Sequence, residues 1–273
     1  MKKIIDENIK IVKSHYDTDA SIEWERLERH PFEFVITTKM MDQYIRFGDS
    51  ILDIGGGPGR YSLYYAKKGC DVTLVDLSSA NIEFAQHMAI QEQVDYKCLE
   101  GNALDIDELV DEKYDHVFLM GPMYHLLDEQ DRISAINKAI SLLKPNGKIY
   151  ISFIMMFAGM IYFMKYCPEV ILHESEKPFL DAVITDSSYG GDAFTKAYFI
   201  SPKEVLPFME QFDLEKLHMF GQEGVFSPCE DNFLKQPKEV IDKWLEVTLK
   251  IIERHELFGL SEHLMYIGQL SIK

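Results

Sequence analysis

The sequence predicts an α/β protein with a parallel sheet covered on both faces. Three observations carry this. Between about 50 and 155, short apolar runs alternate with amphipathic stretches at strand and helix lengths. One run opens into "ILDIGGGPGR" at 51–60, with four glycines in five positions. A later amphipathic stretch carries helix punctuation at both ends.

The elements follow in order. "SILDIG" is a strand, and "RYSLYYAKKG" is a helix closed by Gly69. "DVTLVD" is the second strand, "SANIEFAQHMAIQEQ" a helix, "DYKCLEGNA" a third strand with its exit loop, and "YDHVFLMG" a fourth. "DEQDRISAINKAISLLKPNG" is a helix with Asp128 as N-cap, Ile133, Ile136, Ile140 and Leu143 on one face, and Pro145, Asn146 and Gly147 ending it. "KIYISF" is the fifth strand. Residues 1–49 are helical in pattern, most clearly in "EFVITTKMMDQYI". Residues 155–200 form an insertion containing a loop, "TDSSYGGDAF". "SPKE" at 201–204 is a capping box with Pro202 at the first helical position. A helix to Phe212, the strand "LEKLHMFG", the helix "KEVIDKWLEVTLKIIERHEL" and the strand "EHLMYIGQL" complete the chain.

Bulk properties narrow the function. The 273 residues carry a formal net charge of −17, without a basic stripe. Long-range repulsion disfavours nucleic acid and anionic membranes. A small or uncharged substrate fits better. The four cysteines form no CxxC pair, so no zinc site and no metal is expected, and a reduced, cytoplasmic setting follows. The uncharged run 149–164 is shorter than the roughly 20 residues a span needs. It reads as a strand through Phe153 followed by a helix rich in Met and aromatic residues (Met155, Met156, Phe157, Met160, Tyr162, Phe163), which is either core or the cap of a pocket.

The glycine cluster narrows it further. A strand, a bare turn and a helix N-terminus together make a nucleotide-type site, because free N–H groups meet an anion there. The dinucleotide pattern G-x-G-x-x-G places its third glycine at Arg60, which argues against a nicotinamide cofactor. "GPGRYS" lacks the Gly-Lys-Ser/Thr of a Walker loop. What remains is Asp53, Gly55, Gly57 and Gly59, spaced as acid–x–Gly–x–Gly–x–Gly, with Gly56 between them.

That spacing resembles motif I of the class I S-adenosylmethionine-dependent methyltransferases. "VTLVDLS", "EGNALDI", "YDHVFLMGPMYHLL" and "LLKPNGKIYISF" follow in the family's order, over roughly residues 45–155. The N-terminal "YDTDASIEWERLERHPFEF" and the ending "GLSEHLMYIGQL" look like a bacterial small-molecule subgroup. The resemblance implies a Rossmann-like three-layer sandwich with a mainly parallel seven-stranded sheet, its last strand antiparallel. A lid at 1–49 and a cap at 155–200 would flank a cofactor-binding core at 50–154, and residues 201–273 would complete the α/β unit.

The resemblance also implies site roles. Asp76 would bind both ribose hydroxyls, Leu77 would wall the adenine, and Asn102 and Ala103 would meet its edge; Asn102 departs from the family's usual aspartate. Met120 and Gly121 would close the cofactor site. Asp53 either meets the cofactor amine, directly or through water, or braces the turn. Tyr16 could approach the sulfonium and Arg26 could pair with the methionine carboxylate; ordinary packing is the alternative for each. His125, after the fourth strand with Tyr124, is either a general base or a wall residue, and His116 is structural. The expected activity is methyl transfer from S-adenosylmethionine to a small-molecule acceptor by a monomer or homodimer. The alternatives are a protein substrate or a cofactor-binding protein without catalysis.

Overall fold

The computed structural model describes residues 2–18 and 20–270. Three helices come first: α1 (Lys2–Tyr16), α2 (Ala20–Arg29) and α3 (Pro31–Met41). The core then alternates β1 (Ser50–Ile54), α4 (Arg60–Lys67), β2 (Asp71–Asp76), α5 (Ser79–Gln91), β3 (Lys97–Glu100), the single turn α6 (Ile106–Leu109), β4 (Tyr114–Leu119), α7 (Glu129–Ser141) and β5 (Leu143–Ile154). The insertion holds α8 (Met156–Tyr166), α9 (Lys177–Ile184) and the strands β6 (Tyr189–Asp192) and β7 (Lys196–Phe199). The chain finishes with α10 (Pro202–Met209), β8 (Leu214–Gly221), the turn α11 (Glu230–Phe233), α12 (Lys238–Ile251) and β9 (His263–Leu270).

Seven strands form one sheet in the order β3-β2-β1-β4-β5-β9-β8. The first five pair in parallel, and β9 is antiparallel to both β5 and β8. The central strands read as near-continuous apolar runs because helices cover both faces. Leu52, Val75, Val117 and Ile151 are fully buried on one side with α7. Ile51, Leu74, Phe118 and Tyr150 are buried on the other with α3 and α4. Each such side chain contributes about 1.5–3 kcal/mol of burial. The sandwich architecture and the antiparallel last strand match the sequence expectation.

Local details differ from it. The α7 helix ends at Ser141, and the Pro145–Gly147 stretch lies inside β5. Strand β4 captures the chain early: Tyr114 N–H donates to Leu142 O at 2.8 Å, and Tyr114 pairs with Leu143. Asn146, at φ 63°, lies where the register shifts before Lys148, so the turn residues make an irregularity in a strand rather than a loop. The loop "TDSSYGGDAF" contains strand β6, paired with β7. Ser201 does not cap α10 through its side chain; its hydroxyl donates to Asp186 Oδ1 at 2.8 Å, and Glu204 accepts from Ser188 at 2.7 Å. Both box residues tie the helix to the insertion instead. The last helix ends at Ile251, and the 3-10 segment His255–Leu260 after it buries Phe258. No helix among the described residues is long and apolar enough to cross a membrane.

Candidate active site

The glycine turn sits at the C-terminal end of β1. Gly55, Gly57 and Gly59 all take positive φ, which disfavours side chains. At Gly56 a Cβ would lie 2.5 Å from the Asp53 carboxylate and 2.4 Å from Leu74. Gly57 differs: nothing lies within 4 Å of where its Cβ would stand. The turn is closed on the core side and open on the other.

Asp53 lies beneath this turn with no exposure. Ser62 of α4 donates to its Oδ2 at 2.7 Å, while Oδ1 has no partner. Burial pushes its carboxyl up to about 7, against the Ser62 hydrogen bond and with help from the charge of Asp76. Through the Ser62 contact the side chain anchors the first turn of α4 to the end of β1.

Asp76 ends β2 beside the turn. Its Oδ2 accepts from the Gly57 N–H at 2.8 Å, and its Oδ1 accepts from the Ser78 N–H at 2.9 Å and the Asn81 amide at 3.1 Å. Burial still raises its carboxyl, opposed by these donors. Leu77 is half-buried next to it. Asn102 uses its side chain to cap a 3-10 turn, accepting from Leu104 N–H at 3.0 Å. Ala103 and Met120 are buried core residues. Gly121 is pressed against the glycine turn: a Cβ there would stand 2.5 Å from Gly55 O.

Helix α1 crosses this edge. Lys13 donates to Leu77 O at 2.8 Å and to Glu100 at 2.7 Å, and Ser78 donates to Asp17 at 2.6 Å. Tyr16 reaches His125 Nε2 at 3.1 Å. His125 Nδ1 lies 3.0 Å from Lys196 O, an acceptor, so Nδ1 carries the proton and Nε2 accepts the Tyr16 hydroxyl. Burial brings the His125 imidazole down to about 4, with the Lys196 carbonyl opposing, so the ring is neutral at ordinary pH. Burial also raises the Tyr16 phenol far above its usual range. Phe194, at the tip between β6 and β7, sits 6.0 Å from the same imidazole. The N-terminal helix and the insertion therefore meet at His125.

Arg26 does not stand free. It forms a fork with Glu23 on its own helix, at 2.8 and 2.6 Å. Arg60 is held by Leu27 O and lies 4.3 Å from the centre of the Phe34 ring. Trp24 packs against Phe84 of α5. His116 is buried between Asp49 and Tyr150, a structural position.

A second cluster was not assembled by sequence reasoning. Glu33 of α3, Glu223 after β8 and His263 of β9 place carboxylate and ring-nitrogen atoms within 4.8 Å of one another. Glu223 holds His263 Nδ1 at 2.6 Å and accepts from the backbone N–H groups of Glu262 and His263 at 2.9 and 3.0 Å. Burial alone would lower the imidazole; the charge and hydrogen bond of Glu223, then Glu33, raise it to about 9. Tyr61 donates to Glu33 at 3.1 Å. Tyr124 lies 5.4 Å from His263 between ring centres, its hydroxyl 2.6 Å from Ser152, which donates on to Gln222. His263 pairs with Ile154, so the cluster sits at the same sheet edge as the glycine turn. Its members lie on separate segments from 33 to 263. The only sequence signals were the family-like stretches containing "HPFEF" and "SEHL".

The comparisons agree with this geometry. Residues 51–147 match a methyltransferase domain family. The ubiquinone biosynthesis O-methyltransferase of Klebsiella pneumoniae (strain 342) is 26% identical over 221 residues, covering 75% of this chain and 76% of that protein. The magnesium protoporphyrin IX methyltransferase of Synechocystis PCC 6803, solved with S-adenosylhomocysteine bound, superposes with a TM-score of 0.59 at 13% identity, covering 97% of this chain and 100% of the other. The N-methyltransferase NodS of Bradyrhizobium japonicum WM9, also solved with S-adenosylhomocysteine, gives 0.54 at 13% identity, covering 90% and 91%. At these identities the two solved structures establish the fold.

Proposed function

We propose that this chain, a class I S-adenosylmethionine-dependent methyltransferase, carries the methyl group to a small-molecule acceptor. One observation supports the reading above the others. A buried carboxylate, Asp76, ends the strand next to the glycine turn and is fixed to it through the Gly57 N–H, beside open space. Two neighbouring ribose hydroxyls need such a carboxylate acceptor.

When bound, S-adenosylmethionine supplies a methyl group already activated by its sulfonium. The chain's own residues bind, align and exclude water. Asp76 would accept the ribose hydroxyls, Leu77 would wall the adenine, Asn102 and Ala103 would meet its edge, and the turn at Gly55–Gly59 would carry the methionine end. Tyr16 and Lys13 would close over it from α1. Arg26 is held by Glu23, so a role on the methionine carboxylate needs that fork to open or be shared.

The small-molecule reading rests on the net charge of −17 and on the small molecules that the names of two similar proteins give, ubiquinone and magnesium protoporphyrin IX. Action in the cytoplasm, as a monomer or homodimer and without a metal, belongs to the same reading. Transfer from methyl-tritiated S-adenosylmethionine to a fractionated cell lysate tests it. Label in the small-molecule fraction supports it. Label confined to protein moves the assignment to a protein methyltransferase, and tight cofactor binding without transfer to either fraction moves it to a non-catalytic binding protein.

A further inference from the structure

We propose that Glu33 and His263 form the acceptor's reactive subsite, and that the atom they present to the methyl group is a hydroxyl oxygen. This rests on the methyl-transfer reading above.

The spacing is the first argument. Glu33 and His263 make no direct ion pair, yet their polar atoms lie within 4.8 Å. A single oxygen hydrogen-bonded to both at ~2.8 Å, with a tetrahedral angle between the bonds, spans about 4.5 Å. One bridging hydroxyl falls within that limit.

The donor and acceptor set is the second argument. His263 Nδ1 donates to Glu223, whose other oxygen is held by two backbone N–H groups, and no hydrogen bond among the described residues occupies the His263 Nε2–H. Glu33 takes a hydrogen bond from Tyr61, in the first turn of α4, and retains acceptor capacity. The pair thus offers one charged donor beside one charged acceptor. An alcohol or phenol oxygen has two lone pairs: one can accept from His263 while the other attacks. An amine nitrogen has a single lone pair, which a bond from His263 would block, and an ammonium would be repelled. A thiol is a weak partner for both groups.

The third argument is the surroundings. Tyr61 donates to Glu33 at 3.1 Å, and the ring of Tyr124, which follows β4, lies 5.4 Å from that of His263. His125, by contrast, has both ring nitrogens engaged, by Lys196 and Tyr16.

The step balances without another reactant. The O–H bond breaks and its proton passes to the Glu33 carboxylate. The oxygen–carbon bond forms as the sulfur–carbon bond breaks, and that electron pair stays on sulfur as a neutral thioether. Glu33 then returns the proton to solvent.

The test uses the full chain, methyl-tritiated S-adenosylmethionine and the small-molecule fraction of a cell lysate. The labelled product should be a methyl ether. Glu33→Gln and His263→Gln should each lower its formation by about 100-fold or more, the range of a lost general acid or base. Both should bind S-adenosylhomocysteine within about threefold of wild type, and Glu33→Asp should recover part of the rate. Label on nitrogen or sulfur, or full turnover in either Gln variant, overturns the proposal and leaves methyl transfer standing. Label absent from small molecules overturns both.

Discussion

Tyr16 and His125, 109 residues apart in the chain, meet at 3.1 Å, and this hydrogen bond joins helix α1 to the segment after β4. Lys13 and Asp17 fasten the same helix over Leu77, Ser78 and Glu100. The N-terminal segment therefore lies against Leu77 and Ser78, the residues that follow Asp76.

Tyr16→Phe should weaken S-adenosylhomocysteine binding by roughly two- to tenfold, the value of one hydrogen bond. In the proposed arrangement α1 closes over the bound ligand, so the change should fall mainly on dissociation. Stopped-flow release of the ligand checks this. An unchanged dissociation rate would show that the contact does not gate the site.

The glycines should separate folding from binding. A Cβ at Gly121 would meet the Gly55 carbonyl at 2.5 Å, so Gly121→Ala must displace the turn and should lower both thermal stability and ligand affinity. A Cβ at Gly57 meets nothing but requires a positive φ of 59°. Gly57→Ala should cost about 1–2 kcal/mol of stability while losing most ligand affinity, because its methyl enters the open side of the turn. Paired melting and titration curves decide it: a Gly57→Ala protein that binds normally would place the ligand elsewhere.

Stability should decline as pH rises from about 7 to 9. The unfolded imidazole of His263 titrates near 6.5, whereas Glu223 and Glu33 hold the folded one to about 9. The folded state therefore keeps a proton that the unfolded chain loses in this window, and stability falls with pH. The effect is on the order of 3 kcal/mol at most, or roughly 5 °C at most in melting temperature for a chain of this length. His263→Gln should flatten that limb. A wild-type curve level from 7 to 9 would contradict the assigned pairing. Below 7 two groups oppose each other: His125, lowered to about 4, favours stability rising with pH, while Asp53, raised to about 7, favours it falling.

The cofactor half of the site was legible in the sequence because it is local. Asp53, the glycines and Asp76 lie within 24 residues, and their spacing follows from one strand–turn–helix–strand unit. The proposed acceptor subsite was not. Glu33, Tyr61, Tyr124, Glu223 and His263 come from five separate segments, and only the sheet order that inserts β9 between β5 and β8 brings the last two to the edge. Arg26 shows a different limit: its charge was visible, but not that Glu23, three residues earlier, would hold it. Likewise Pro145–Gly147 reads locally as a helix stop, while the pairing of β4 with Leu143 is a non-local contact that outweighs it.

Removing divalent cations should leave methyl transfer unchanged, since no step of this account passes through a metal. Glu33, Glu223 and His263 are close enough to hold one, which makes the control informative. Turnover before and after dialysis against EDTA checks it. Activity lost and then restored by a metal would reassign that cluster as a metal site.

The central claim is that Asp76 and the glycine turn hold S-adenosylmethionine. Calorimetric titration of S-adenosylhomocysteine into the wild type and Asp76→Ala tests it most directly. One site with micromolar-range affinity is expected, weakened about 100-fold or more in the variant, as follows when a carboxylate that accepts two ligand hydroxyls is removed. A variant that binds like the wild type, or a wild type that binds NADH and not S-adenosylhomocysteine, would contradict it.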